Sequence, residues 1–197
     1  MYSLKDSMMI GWLLNIHLLF YQKCPRKRKI EEDVEHWKDI FHWEGSYPQI
    51  IKRLLKEKAE FRNLFYYRLG NAKGCLPLLR WIAPPLSTLY IWTENIGGGL
   101  FIQHGFATVI AARSIGKYCF VNQQVTIGYI SNDEPPVLGD NVVVSCGAKV
   151  LGNITVGDNV KIGANAVVTK NVPKNTTVVG IPAYIVKKNG ERVYERI

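Results

Sequence analysis

The sequence predicts a mainly β fold, a parallel β-helix of hexapeptide repeats preceded by an α-helical region, on three observations. An aliphatic residue returns about every six positions, at Ile96, Ile102, Val109, Ile115, Val121, Ile127, Leu138, Val144, Val150, Val156, Ile162 and Val168. Gly97, Gly116, Gly128, Gly139, Ser145 and Gly163 follow six of these guides, and a small residue there lets the backbone turn a corner. A six-residue period fits neither a helix nor an ordinary strand, whereas each hexad of a β-helix forms one short side of a triangular coil. Before residue 85 the apolar spacing changes to three and four, the period of a helix with one buried face.

Taken in order, Met8 to Tyr21 is an apolar helix candidate, followed by the basic cluster Lys23, Arg26, Lys27, Arg28 and Lys29, broken by Pro25. An apolar helix beside a basic cluster suits peripheral contact with an acidic membrane face, and equally a helix packed on a neighbour. A second helix is expected from Glu31 to Phe41, with Val34, Trp37, Ile40 and Phe41 on one side. A third runs from Ile50 to Leu69 and ends at Gly70. Pro84 and Pro85 mark the junction, which divides the chain into a helical domain, 1–85, and a β-helix domain, 86–197.

The guides amount to twelve hexads, or about four coils at three hexads each. One polar loop, Gly128 to Val137, separates Ile127 from Leu138 and carries Ser131, Asn132, Asp133, Glu134, Pro135 and Pro136. A long loop on a regular solenoid marks a functional face. After Val168, Asn171-Val172-Pro173 ends the coil pattern, and the basic tail with Lys187, Lys188, Arg192 and Arg196 is expected to lie along the outside.

Composition narrows the function classes. The net charge of +9 divides into 15 − 9 = +6 over residues 1–90 and 10 − 7 = +3 over 91–197. No nucleic-acid-binding motif accompanies that charge, so a phosphorylated small molecule is the better partner. Cys24, Cys75, Cys119 and Cys146 contain no CxxC pair, which suits free thiols in a reducing, cytoplasmic compartment. The first apolar stretch is too short to span a bilayer and follows no basic leader.

Three stretches carry a family resemblance: Ile96-Gly-Gly-Gly-Leu-Phe-Ile-Gln-His104-Gly, Gly147-Ala-Lys-Val-Leu-Gly-Asn-Ile-Thr-Val-Gly157 and Val179-Gly-Ile-Pro-Ala183. They resemble the serine acetyltransferase family, within the hexapeptide-repeat acyltransferases. The resemblance implies a left-handed β-helix after a helical domain, a homotrimer, and active sites in clefts between neighbouring coils. It also implies acetyl-CoA as donor, with no metal. Phe61-Arg-Asn-Leu-Phe-Tyr-Tyr-Arg-Leu69 is more similar to the branch that modifies surface polysaccharides.

His104 matches the family's catalytic histidine. Its chemistry is sound, because a hydroxyl is a poor nucleophile at neutral pH and imidazole can take its proton as it attacks a thioester. His17, His36 and His42 fall in helical sequence and read as packing or surface residues. For the coenzyme arm the resemblance implies Ser145, Gly147, Ala148, Gly163 and Ala164, with Lys187 and Lys188 toward its phosphates. Each small residue has corner geometry as a second reason to be there. A γ-class carbonic anhydrase shares the β-helix but needs three zinc-binding histidines, and the coils hold only His104.

The chain departs from the family pattern at three places. Gln103 stands where the serine enzymes carry an aspartate, Glu134 stands where their loop supplies a second histidine, and Leu89 falls where an aspartate orients the base. Glu94 and Glu134 are the substitutes on offer for that orienting carboxylate. Gln103, Asp133 and Glu134 thus become the acceptor-binding candidates, and carboxylates with amides suit sugar hydroxyls. The expectation is O-acetylation of a sugar in surface polysaccharide biosynthesis. The alternatives are serine O-acetylation in cysteine biosynthesis and a non-catalytic β-helix scaffold.

Overall fold

In the computed structural model the described residues are 12–70, 74–130 and 134–197. They fall into two units, divided between Leu86 and Ser87. The first is helical, with α1 (Asn15–Gln22), α2 (Lys27–Phe41), α3 (Tyr47–Glu57), α4 (Ala59–Leu69) and α5 (Leu76–Ile82).

Apolar residues at three-four spacing bury Val34 and Trp37 of α2, Ile51, Leu54 and Leu55 of α3, and Phe61, Leu64 and Phe65 of α4. Each such side chain removed from water stabilises the unit by roughly 1.5–3 kcal/mol. Trp37 meets Phe61 edge-on with ring centroids 5.3 Å apart. Beside this core, Arg68 and Asp33 form a buried two-pronged ion pair, with Nε–Oδ2 at 2.8 Å and Nη2–Oδ1 at 3.0 Å.

The helical expectations need four corrections. The helix expected over Ile50–Leu69 is two helices, because Lys58 takes an extended conformation (φ −122°, ψ 104°) between them. Helix α3 begins at Tyr47, where Gln49 accepts a hydrogen bond from the Ser46 N–H at 2.9 Å. Helix α2 starts at Lys27, earlier than Glu31, so much of the basic cluster lies in its first turn. Helix α5 went unpredicted, since its Pro77 reads as a breaker although proline suits a first helical turn. The candidate helix Met8–Tyr21 lies partly outside the described residues, and its described part is α1 with the residues just before it. Among the described residues no helix is long and apolar enough to cross a membrane.

The second unit is a left-handed parallel β-helix of about five turns. Its strands run in chain order from β1 (Leu89–Ile91) to β16 (Glu191–Arg196). Face I stacks β1, β4 (Thr108–Ile110), β7 (Thr126–Gly128), β10 (Lys149–Leu151) and β13 (Val167–Val168). Face II stacks β2 (Asn95–Ile96), β5 (Ser114–Ile115), β8 (Val137–Leu138) and β11 (Thr155–Val156), and a bridge from Val156 to Val172 extends it. Face III stacks β3 (Phe101–Ile102), β6 (Phe120–Val121), β9 (Val143–Val144), β12 (Lys161–Ile162) and β14 (Thr176–Val179). The basic tail continues face III as antiparallel β15 (Tyr184–Lys188) and β16.

The coil count is therefore about five, not four, because Ile91 opens a turn before the first guide and Val172 and Val178 close one after the last. The guides point inward as expected, with one exception. In β4 the buried residues are Thr108 and Ile110, and Val109 faces out. The partner of Ile127 in the stack is Ile110. At the edge between faces II and III, side-chain amides form a ladder from Asn141 to Asn159 (3.1 Å) and from Asn159 to Asn175 (2.8 Å). All three asparagines hold positive φ there, a conformation this residue tolerates.

Candidate active site

The exception at Val109 arises at the edge between faces III and I, and that edge carries His104. In the lower coils three residues turn this corner: 122–124, 145–147 and 163–165, each between an inward guide and an inward Val125, Ala148 or Ala166. In the top coil the corner holds five, 103–107, between Ile102 and the buried Thr108. Main-chain bonds fix the alignment. The N–H of Gln103 donates to Val121 O at 2.9 Å, and the N–H of Gln124 donates to Phe106 O at 2.9 Å. Gln103 thus stacks on Asn122 and Phe106 on Gln123, which leaves His104 and Gly105 as a two-residue bulge with no counterpart below.

The bulge is a tight turn. His104 (φ 63°), Gly105 (φ 41°) and Ala107 (φ 51°) all adopt left-handed conformations, and the Phe106 N–H donates back to His104 O at 2.5 Å. For His104 and Ala107 such backbone costs about 1–3 kcal/mol each and persists only where its surroundings over-determine it, whereas Gly105 adopts it freely. Here it throws the imidazole into solvent, where His104 is exposed. An exposed imidazole is placed to exchange a proton with a bound hydroxyl.

Below the bulge runs a column of uncommitted main-chain donors. At this edge the N–H groups of Gln124, Gly147 and Asn165 each donate to the coil above, while those of Asn122 and Ser145 donate to the coil below. Between them, the N–H groups of Gln123, Cys146 and Ala164 have no acceptor within the chain among the described residues. These three residues lie one above another, spaced by the ~4.8 Å of neighbouring strands. A thin ligand with carbonyl groups along its length would meet them in turn.

Ser145, Gly147, Gly163 and Ala164 all lie on this edge, so the structure brings them into one strip with His104. Ala148 is fully buried, so only its main chain could face a ligand. Corner geometry also demands the glycines. Gly147 has φ +71°, and a Cβ there would collide with Asn165 Oδ1. A Cβ on Gly163 would lie 2.7 Å from Val179 Cγ1. A cation is also fixed at this edge, since Lys149 Nζ donates to Gln124 O at 2.6 Å.

The remaining candidates are placed elsewhere. Glu134 is exposed and ion-paired with Arg113, and the Arg113 N–H donates to Pro136 O at 2.9 Å. That pair lies between faces I and II, a different edge from His104 in the same chain. Glu94, between β1 and β2, is on that other edge too. Asp133 lies outside the described residues. Leu89 is buried in the coil core. Lys187 pairs with Thr177 across face III and lines a cavity of about 470 Å³ with Lys161, Asn175 and Asn189, away from the His104 corner. Lys188 is paired with Glu195 at 3.0 Å.

Sequence reasoning passed over Asn122, Gln123 and Lys149. Their only signal was position: the first two follow the guide Val121 as Gln103 and His104 follow Ile102. Among the described residues no group of His, Cys, Asp and Glu converges as a metal site would require.

Residues 135–170 match the repeat family described as bacterial transferase hexapeptide (six repeats). The chain is 44% identical over 127 residues to a serine acetyltransferase of Synechococcus elongatus, covering 60% of this chain and 52% of the relative. It is 49% identical over 103 residues to a serine acetyltransferase of Staphylococcus xylosus, covering 50% and 48%. The chain therefore spans about half the length of these curated relatives. The crystal structure of serine acetyltransferase from Brucella abortus superposes with a TM-score of 0.66 at 28% identity, over 83% of this chain and 69% of that one.

These relatives overturn the expectation of a sugar acceptor in surface polysaccharide synthesis, because identity of 44–49% is to serine acetyltransferases. The physical reason for the error is visible. The sugar reading took the loop to offer carboxylates with no cation beside them, and Glu134 is instead ion-paired with Arg113. In its hexapeptide repeat, its relatives and its fold the chain is thus similar to serine acetyltransferases, within the hexapeptide-repeat transferases.

Proposed function

We propose that the protein transfers the acetyl group of acetyl-CoA to the hydroxyl of L-serine, with His104 as general base. The observation that carries the proposal is the bulge at the corner of faces III and I, which sets an exposed imidazole at the head of a strip of small residues and free N–H groups. The pantetheine arm would lie along Ser145, Cys146, Gly147, Gly163 and Ala164, and its amide carbonyls would accept from the column of main-chain donors. A wall without long side chains admits such an arm.

In the reaction an imidazole nitrogen of His104 takes the proton from the serine hydroxyl as its oxygen attacks the thioester carbon. The new C–O bond forms, the carbonyl oxygen takes the negative charge, and the C–S bond then breaks. The proton held by His104 passes to the departing sulfur, giving O-acetyl-L-serine and free coenzyme A. General-base assistance of this kind contributes ~10²–10⁴-fold. The exposed Gln103, next to the base, offers amide donors suited to the serine carboxylate.

We also infer a homotrimer acting in the cytoplasm. Four free cysteines suit a reducing compartment, and a site on a prism edge needs a second wall that a neighbouring copy can supply. The test is acetyl-CoA turnover with L-serine, D-serine, L-threonine or water alone, with products identified by mass. Turnover strongly stimulated by L-serine, yielding O-acetylserine, supports the proposal. Turnover no faster with L-serine than with water contradicts it.

A further inference from the structure

Deprotonating the acceptor is half of the chemistry; the other half is the charge that develops on the thioester oxygen. A positioned donor for that oxygen is the larger electrostatic term in acyl transfer. His104 cannot provide it while it acts as base. Most main-chain N–H groups at this corner are spent on the coil ladder: Gln103, Asn122, Gln124, Ser145, Gly147, Ala148, Gly163, Asn165 and Ala166 all donate within the chain.

In the coils below the bulge, Gln123 is the exception nearest the base. It sits one coil below the bulge, in line with Phe106. Its main-chain N–H has no acceptor within the chain among the described residues, and neither does its side-chain amide. Its carbonyl accepts from the Gly147 N–H at 3.0 Å, which ties its main chain to the coil below. A long polar side chain on the outside of a solenoid would ordinarily extend into water, yet Gln123 is half-buried. The residues that follow in its column, Cys146 and Ala164, have short side chains, so Gln123 is the last group able to reach across the strip before the coenzyme wall begins.

We propose that Gln123 is a catalytic residue of the proposed transfer, its side-chain amide N–H donating to the thioester carbonyl oxygen as that oxygen becomes an oxyanion. The assignment rests on the reading of this corner as an acetyl-CoA site. No proton moves to or from Gln123. It holds the negative charge while the C–O bond forms and is released when the C–S bond breaks and the carbonyl is restored.

The test compares wild type with Gln123→Met, which keeps length and packing volume but removes the donor, and Gln123→Glu, which offers only acceptors at neutral pH. Both variants should lose ~10²–10³-fold in kcat, with KM for acetyl-CoA within about twofold, because uniform binding is untouched. Their thermal midpoints should match wild type. A Gln123→Met enzyme with wild-type kcat overturns the assignment, and so does a loss confined to KM. A control keeps the two readings apart: slow hydrolysis of acetyl-CoA by water passes through the same oxyanion. If L-serine fails as acceptor in wild type, the serine reading falls, while the hydrolysis rates of wild type and Gln123→Met still decide the role of Gln123.

Discussion

The Gln124 N–H donates to the Phe106 carbonyl at 2.9 Å, so Phe106, not His104, occupies the place above Gln123 in the corner column. His104 is therefore outside the coil ladder. The coil does not need it, and its left-handed backbone is maintained by the turn around it. The separation of a rigid scaffold from one displaced side chain explains how a repeat fold can carry chemistry at a single corner.

Replacing His104 should affect rate and leave stability alone. His104→Asn tolerates the positive φ and retains a polar side chain, but it cannot accept a proton near neutrality. The expected result is a fall in acetyl transfer of ~10²–10⁴-fold with an unchanged thermal midpoint, read by free-thiol release and calorimetry.

Gly147→Ala should destabilise the coils. A Cβ there would collide with Asn165 Oδ1, and the backbone sits at φ +71°. The expected loss is ~1–3 kcal/mol, measured by denaturant unfolding of the β-helix; a variant as stable as wild type would contradict it.

The buried ion pair predicts an asymmetric mutant pair. Arg68→Met leaves the Asp33 carboxylate buried without its guanidinium and should destabilise the helical unit by ~3–5 kcal/mol. Adding Asp33→Leu removes the stranded charge and should restore most of that loss. A double variant no better than the single one would contradict the account.

His17 gives the helical unit a pH dependence. Burial lowers its pKa from 6.5 to about 4. Tyr66 OH lies 2.9 Å from Leu79 O and 2.7 Å from Ala83 O, so toward the His17 Nε2, 3.1 Å away, it acts as acceptor. The Nδ1 atom is buried without a partner, so protonating it would strand a charged donor. A histidine with a depressed folded pKa favours the folded state fully above its unfolded value. That stability, about 3 kcal/mol, is lost as pH falls from 6.5 toward 4. Chemical denaturation across that range should show the slope, and His17→Gln should flatten it.

The thiols test where the coenzyme lies. Burial pushes the Cys119 thiol up to about 12, whereas Cys146 is half-exposed at the candidate strip. A maleimide at pH 8 should modify Cys146 and spare Cys119, and acetyl-CoA should protect Cys146. Labelling of Cys146 at the same rate with saturating coenzyme would place the arm elsewhere.

Much of this architecture is legible in the sequence, because inward residues of a β-helix must be aliphatic and must recur. Ile115, Val121 and Ile127 are buried where the period puts them. The period misled at Val109, because the bulge at His104 lengthens its corner by two residues while the following corner is one residue short. Counting by sixes therefore lands on the neighbour of Ile110. The His104 bulge is thus both the candidate site and the flaw in the pattern. Glu134 and Lys187 could not be placed by spacing, since edge and face assignments depend on how many residues each corner holds. Gln123 had no signal beyond its offset from Val121.

The most direct measurement is release of coenzyme A thiol from acetyl-CoA with L-serine, by wild type and by His104→Asn, with the oligomer's mass determined on the same samples. The account predicts rapid release and O-acetylserine from wild type, near-complete loss in the variant, and both proteins sized as three copies of the 22.4 kDa chain. Equal release by the two proteins, or none from a folded wild-type trimer, would contradict it.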